Sequence, residues 1–328
     1  MKKKEIIEQY VRKFPDTPNL TLAKKIMKDK PELFTSVDNI RRTIRVLKGA
    51  SGEKDMKYAI DDLKENRDDK KNPFKLPESD YKEWSMFYIP KSIKKLLILS
   101  DIHLPYHDLE ALNTSIQKGV DEQVDGILLN GDLIDFHTLS RFIKDPSARS
   151  FWDEIELTRE FLQTLRNIFP NAHIYYKIGN HEERWENYMR VKAPEILDCK
   201  DFKLDVILRL AELGIHYIDD KRIIDYIGLL ILHGHEFFGA PSQAVNPARG
   251  LFLKSYTSSM MGHLHKTSEH TEYTLKGDIK TTWSLGCLCG LNPEYARINK
   301  WNHGFAIVDN ESGIFRVKNY RIFKGKLL

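Results

Sequence analysis

From residue 95 onward the chain repeats one pattern: a short apolar run, a polar or glycine-containing turn, and then usually a helical pattern. The runs lie at 96–99, 127–129, 174–178, 229–232 and 258–261, the length of short buried strands. Apolar residues recur at helical spacing near 108–122, 149–168, 181–191 and 203–213, and further strands are predicted near 282–288, 304–308 and 313–319. Strands alternating with helices predict an α/β layered domain. No internal repeat or low-complexity tract interrupts it.

The first fifty residues follow a different rule. Ile6, Ile7, Tyr10, Val11 and Phe14 share one helical face, as do Leu22, Ala23, Ile26 and Met27, so three short helices are predicted over 3–14, 20–30 and 36–48. Thr35 or Ser36 can cap the third, with Asp38 at capping-box distance from Thr35, and Gly49 is placed to stop it. Val37, Ile40, Ile44 and Leu47 form its apolar stripe, while Arg41, Arg42, Arg45 and Lys48 project away and are candidate DNA contacts. Three helices ending in a basic one resemble a helix-turn-helix unit, whose last helix enters the major groove. A solvated or protein-docking face fits the same residues. Residues 51–75 mix both charge signs with few large apolar side chains, as a linker does. Tyr81, Trp84, Phe87 and Tyr88, between Pro77 and Pro90, suggest an arm lying on the body. The expected organisation is thus a basic all-α head at 1–50, a linker and aromatic arm at 51–93, and a large α/β domain at 94–328.

Charge sharpens that division. The formal net charge of +4 separates into 20 Lys and Arg against 13 Asp and Glu over residues 1–75, net +7, and 31 against 34, net −3, over the remainder. Such asymmetry marks a basic accessory segment on a different kind of body. With 328 residues, 41% of them hydrophobic, the chain can bury a sizeable core. No apolar run approaches the roughly 18–20 residues that span a bilayer, and the basic start leads into mixed polar sequence, so no membrane association and a cytosolic location are expected. Cys199, Cys287 and Cys289 match no four-ligand zinc spacing, and Cys287 and Cys289 read as buried thiols on one face of a strand.

The turns after the five apolar runs carry the chemistry. They read Asp101-Ile102-His103, Gly131-Asp132-Leu133-Ile134-Asp135, Gly179-Asn180-His181-Glu182, His233-Gly234-His235 and Gly262-His263-Leu264-His265. Each follows the C-terminal end of a predicted strand, the edge where ligands bind in open α/β folds. Six of the twelve histidines fall in these segments, which is what makes them more than five chance turns. Imidazole, carboxylate and amide donors without thiolate suit Mn²⁺, Fe or Zn²⁺. Asp132 has two oxygens and could bridge two ions.

In that order the five segments resemble the calcineurin-like metallophosphoesterase superfamily, whose pattern runs Asp-x-His, Gly-Asp-x-x-Asp, Gly-Asn-His-(Glu/Asp), His-Gly and Gly-His-x-His. The resemblance covers residues 95–320 and implies a two-sheet αββα sandwich with two divalent metals about 3.5 Å apart. By motif position, Asp101, His103, Asp132 and His265 would hold one metal and Asp132, Asn180, His233 and His263 the other. The resemblance implies hydrolysis of phosphoesters by metal-activated hydroxide, with Mn²⁺ the first choice of metal and Fe, Zn²⁺ or Mg²⁺ as alternatives. His181 would serve the leaving oxygen and Asp135 would hydrogen-bond His181. Asn180, Arg184, His107 and His137 are candidate substrate contacts, and the loop before the 181–191 helix could direct backbone N–H groups at phosphate. Trp301, His303 and Phe305 follow the last motif, near the cleft or in the core. The basic head favours a nuclease or phosphodiesterase acting on DNA or another nucleic acid, and the overall arrangement resembles phosphoesterases encoded by bacteriophages and their hosts, which implies a bacterial or phage-infected cell. A phosphomonoesterase on a protein or small metabolite is the alternative, followed by a DNA-bound scaffold with a vestigial site.

Overall fold

The computed structural model describes residues 3–14, 17–48, 76–77, 79–81, 83–141, 149–219, 221–237 and 245–328. Gly49 and the expected linker at 51–75 lie outside the described residues. The chain divides into two compact units, Met1–Lys82 and Glu83–Leu328.

In the first unit, α1 (Lys3–Lys13), α2 (Asn19–Asp29) and α3 (Val37–Leu47) bury Ile6, Ile7, Leu22, Ala23, Ile26, Phe34, Ile40 and Ile44 among themselves. Arg41, Arg42 and Arg45 are exposed on the opposite face of α3. Two expectations need correction. Ser36 occupies the N-cap of α3, yet its side chain makes no capping hydrogen bond. Lys48 does not project outward: its ammonium donates to the Thr17 carbonyl at 2.7 Å, serving the fold of the head.

The second unit is the expected two-sheet α/β sandwich. One sheet has the order β13-β12-β11-β2-β3-β4-β5, built from β2 (Lys95–Leu99), β3 (Gly126–Asn130), β4 (His173–Lys177), β5 (Ile215–Ile218), β11 (His303–Glu311), β12 (Ile314–Phe323) and β13 (Lys326–Leu327). The strands β2 to β5 are parallel, and β11 closes antiparallel on β2. The second sheet has the order β1-β6-β7-β8-β10-β9, from β1 (Phe87–Tyr88), β6 (Ile224–Tyr226), β7 (Leu229–Leu232), β8 (Ser259–Met261), β9 (Ser268–Tyr273) and β10 (Ile279–Ser284).

Strand alternation assigns the two faces of the first sheet. Leu96, Ile98 and Leu128 join Ile231, Met260, Trp283 and Leu285 in the core between the sheets. Leu97, Leu99, Ile127 and Leu129 face the other way, against Ala111 and Leu112 of α4 (Leu109–Asp121) and Ile155, Leu162 and Leu165 of α5 (Phe151–Ile168). Asp108 caps α4 through the Ala111 N–H, and Ser150 with Asp153 forms a capping box on α5. On the outer face of the second sheet, Leu251 of α8 (Pro247–Ser255) packs on Leu232 and Met261.

Several elements differ from expectation. The helix expected over 203–213 is the single turn α7 (Leu204–Ile207) followed by turns, and that expected over 181–191 is α6 (Glu183–Lys192). β10 stops at Ser284, so Cys287 and Cys289 lie beyond it, each bridged singly, to His303 and His107 respectively. Of the aromatic arm, Phe87 packs edge-on against Tyr175 at 5.8 Å and Phe87–Tyr88 pair with β6, while Tyr81, Trp84 and Tyr88 are exposed. Among the described residues no helix is long and apolar enough to cross a membrane.

Candidate metal centre

The five motif turns meet because their strands end together. β2, β3 and β4 deliver Asp101, His103, Asp132, Asp135, Asn180 and His181 from one sheet, and β7 and β8 deliver His233, His263 and His265 from the other. The sheets are tied at this edge: the Asn130 side-chain amide donates to the Leu232 carbonyl at 3.0 Å, and the Asn130 carbonyl lies 2.8 Å from His233 Nδ1. The Gly262 N–H donates to the His233 carbonyl at 2.9 Å, and the His263 N–H to Asp101 Oδ2 at 3.0 Å.

The turns are sharp. Asp101, His103, Asp132, His263 and His265 all take left-handed φ, between 52° and 64°. Such a backbone is tolerated better by Asp and His than by most residues, and strain of this kind collects at functional sites. Close approach fixes the glycines alongside: a Cβ on Gly179 would collide with Asp132, and one on Gly262 with Ser100 and Asp101.

The donor atoms converge in overlapping groups. Asp132 Oδ2 stands 3.8 Å from His103 Nε2 and 3.2 Å from His233 Nε2. His265 Nε2 is 3.2 Å from Asp101 Oδ1 and 3.3 Å from His103 Nε2. Asp132, His233 and His263 form one compact triad of donors, and His103 joins Asp132 in a second. All seven residues expected as ligands lie in these turns, with Asp132 shared. His181 and Cys289 also come within reach of a cluster, beside His103 with Asp132 and beside His103 with His265 respectively.

The chemistry of the cluster fits cations. The bond to the Asn130 carbonyl places a proton on His233 Nδ1, which leaves Nε2, without a hydrogen bond, facing a carboxylate oxygen. Two lone pairs at that distance require a positive charge between them or on the ring. Asn180 Oδ1 is likewise buried without a hydrogen bond, as an acceptor reserved for a cation would be. Burial alone would raise the carboxyls of Asp101 and Asp132, yet the neighbouring imidazoles hold both well below the ordinary carboxylate range. Burial would lower His233 and His265, but Asp132 and Asp101 respectively push them up to about 10. The cluster therefore demands countercharge, which protons or cations can supply. His263 is the exception, lowered to about 4 by burial and then by His233, and its neutral ring is ready to coordinate.

Beside the donors lies a second group. Asp135 Oδ2 is 3.1 Å from His103 Nδ1 and 3.3 Å from His181 Nδ1, but the nearer partner of His181 Nδ1 is the Asp135 backbone carbonyl at 2.9 Å. The expected Asp135–His181 contact is therefore shared: the carboxylate steers His103, and the carbonyl sets the His181 ring. Arg184 donates to that same carbonyl at 2.7 Å and to His181 Nε2 at 2.9 Å. Burial opposes a proton on His181, but Asp132 and Asp135 outweigh it and hold its pKa above the ordinary imidazole range.

Sequence reasoning missed the side chains that hold the turns. Glu182 is buried and accepts from the N–H groups of Asp132 (3.0 Å), Leu133 (2.8 Å) and Gly179 (2.7 Å) and from the Tyr176 hydroxyl (2.8 Å). Glu236 does the same for His233 (2.9 Å) and Gly234 (2.6 Å), and is itself paired with fully buried Lys177 at 2.9 Å. Each clamp satisfies turn N–H groups that would otherwise be buried unpaired. The backbone N–H of His181 is also committed, to Asp132 Oδ1 at 2.9 Å, so it does not face phosphate as expected. Cys289 Sγ lies 3.9 Å from His265 Nδ1.

The remaining candidates are scattered in role. His137 packs edge-on against Tyr106, and His107 pairs its backbone with Cys289. Trp301 packs on His265 with centroids 4.1 Å apart, His303 Nε2 lies 2.9 Å from the Cys289 carbonyl, and Phe305 is fully buried in the core.

Residues 94–276 match the family model described as calcineurin-like phosphoesterase. The Gene 54 proteins of Mycobacterium phages L5 and D29 are each 26% identical over 228 residues, which is 66% of this chain and 88% of theirs. Among solved structures, Vps29 from Entamoeba histolytica complexed with Zn²⁺ aligns with 11% identity and a TM-score of 0.37, over 71% of this chain and 96% of its own. A dimetal phosphatase from Danio rerio aligns with 10% identity and a TM-score of 0.33, over 70% and 96% respectively.

Proposed function

This chain belongs to the calcineurin-like phosphoesterase family, and we propose that it is a two-metal phosphodiesterase that cleaves nucleic acid. The observation that carries the two-metal reading is Asp132, whose one carboxylate stands between the His103 and His233 donors. Asp101, His103, Asp132 and His265 would hold one cation, and Asp132, Asn180, His233 and His263 the other. When bound, such a pair supplies charge neutralisation at phosphate and a nucleophile from water near neutral pH. Mn²⁺ is the metal we propose first, because the donors are nitrogen and oxygen.

The chain's own groups do the rest. The Asp135 carbonyl holds the Nδ1 proton of His181 and fixes the ring, while Asp132 and Asp135 favour a proton on it. A proton on His181 Nε2, taking the place of the hydrogen bond from Arg184, would be the one available to the leaving oxygen. Arg184, held by the Asp135 carbonyl, brings a permanent positive charge to the side where a phosphate oxygen gains negative charge.

Nucleic acid as substrate is supported by the first unit, where α3 exposes Arg41, Arg42 and Arg45 on a helix-turn-helix-like set of three helices. A bacterial or phage-infected cytoplasm fits the two phage relatives. The deciding experiment is a panel of mono-, di- and cyclic phosphate esters and DNA forms assayed with Mn²⁺, Zn²⁺, Mg²⁺ and Fe²⁺. Chelator-sensitive cleavage of diesters and DNA is expected. Turnover of mono-aryl phosphates alone would reassign the protein as a phosphomonoesterase, and failure to bind any of the metals would make it a scaffold.

A further inference from the structure

The segment joining Gly290 to β11 belongs to none of the motifs, yet it carries aromatic rings to the donor cluster. Asn299 stitches this segment: its amide donates to the carbonyls of Leu291 (2.6 Å) and Ala296 (2.7 Å), and its carbonyl oxygen accepts from the Trp301 N–H (2.8 Å). Trp301 packs on His265, and Tyr295 lies 6.3 Å from Trp301 at an interplanar angle of 64°. At the root of the segment, Tyr106 packs edge-on against His137 at 6.3 Å, its N–H donates to the His103 carbonyl at 2.6 Å, and its carbonyl receives the Gly290 N–H at 2.9 Å. The Tyr295 residue is 67% exposed, Tyr106 45%.

Single exposed aromatics are ordinary, but exposed rings grouped beside a phosphate-handling centre are not. Every nucleobase offers a π-face, and stacking on aromatic side chains is tolerant of sequence. Resting on the phosphodiesterase reading above, we propose that Tyr295, Trp301 and Tyr106 form a stacking rim for the base of a nucleotide ester whose phosphate sits on the metal centre. The ligand class is therefore a nucleobase-bearing phosphodiester, bound without base-edge readout by these rings.

The test uses the full chain with Mn²⁺ and two substrates, a dinucleotide and an abasic dinucleotide with the same diester bond. Wild type should favour the base-bearing substrate by roughly ten-fold in KM, and Tyr295→Ala should bring the ratio close to one. Tryptophan emission gives a second readout: AMP should quench it at lower concentration than ribose 5-phosphate, and Tyr295→Ala should remove that difference. Thermal melts check that Tyr295→Ala is folded. Hydrolysis of both diesters without preference overturns the rim and leaves the diesterase reading standing. No diester hydrolysis, with AMP still bound more tightly than ribose 5-phosphate, overturns the diesterase reading and keeps the rim. A preference for a phosphotyrosine peptide over AMP would also overturn it, since the rings would then serve a protein ligand.

Discussion

The two units handle the same kinds of charged side chain in opposite ways. In the head, Arg41, Arg42 and Arg45 stand in solvent over a wholly apolar core. In the sandwich, Asp101, Asp132, His233, Glu182 and Lys177 are almost fully buried, and each faces a donor or an opposite charge. A charge in water acts at a distance and is screened by salt, whereas a buried charge dictates the protonation and geometry of its neighbours. The head can therefore attract an anion, and the sandwich can change one chemically.

Three variants test that contrast, in order of expected effect. Asp132→Ala removes the oxygen shared by both clusters and should cost on the order of a thousand-fold in kcat/KM on a bis-aryl phosphate, with loss of bound metal by elemental assay. Activity near wild type would place the chemistry elsewhere.

Glu154 of α5 probes burial of charge without touching a ligand. Its carboxylate accepts from the Phe136 N–H at 2.6 Å, next to Asp135 in the chain, and burial followed by the charge of Asp135 raises its pKa to about 7. A carboxyl raised in the fold stabilises fully below its unfolded pKa and loses that contribution as pH rises through its folded value. Between about pH 5 and pH 8, wild type should lose roughly 2–3 kcal/mol relative to Glu154→Gln in denaturant melts. Parallel curves would mean that the carboxyl is ionised throughout.

The smallest effect belongs to the solvated region. Replacing Arg41, Arg42 and Arg45 together by Ala should weaken DNA binding and flatten its log–log salt dependence by up to roughly 2.7. An unchanged slope, read by fluorescence anisotropy over a salt series, would assign α3 another role.

What could be read from sequence follows the same division. Apolar runs marked β2, β3, β4, β7 and β8 because central strands are buried on both faces, and the motif turns came with them. β9 escaped because its side chains are mostly exposed and polar, as on an edge strand, and β6 is only three residues long. Cys289 could be read as a buried thiol, but the distance between it and His265 is set by a turn beyond β10 that apolar periodicity does not describe. Glu182 stood inside a motif, yet its partners are backbone N–H groups some fifty positions away, which no side-chain pattern encodes. Arg184 was visible as a candidate for substrate, and its bond to His181 emerged only from the fold.

The left-handed backbone at Asp101, His103, Asp132, His263 and His265 bears on how such a centre would tolerate substitution. Each non-glycine residue held there costs about 1 kcal/mol or more, a burden that the surrounding contacts must offset. Glycine at His103 would relieve that strain, but it would open a void beside His181 and His265 and leave buried Asp135 without its His103 hydrogen bond, so strained backbone and buried contacts stand or fall together.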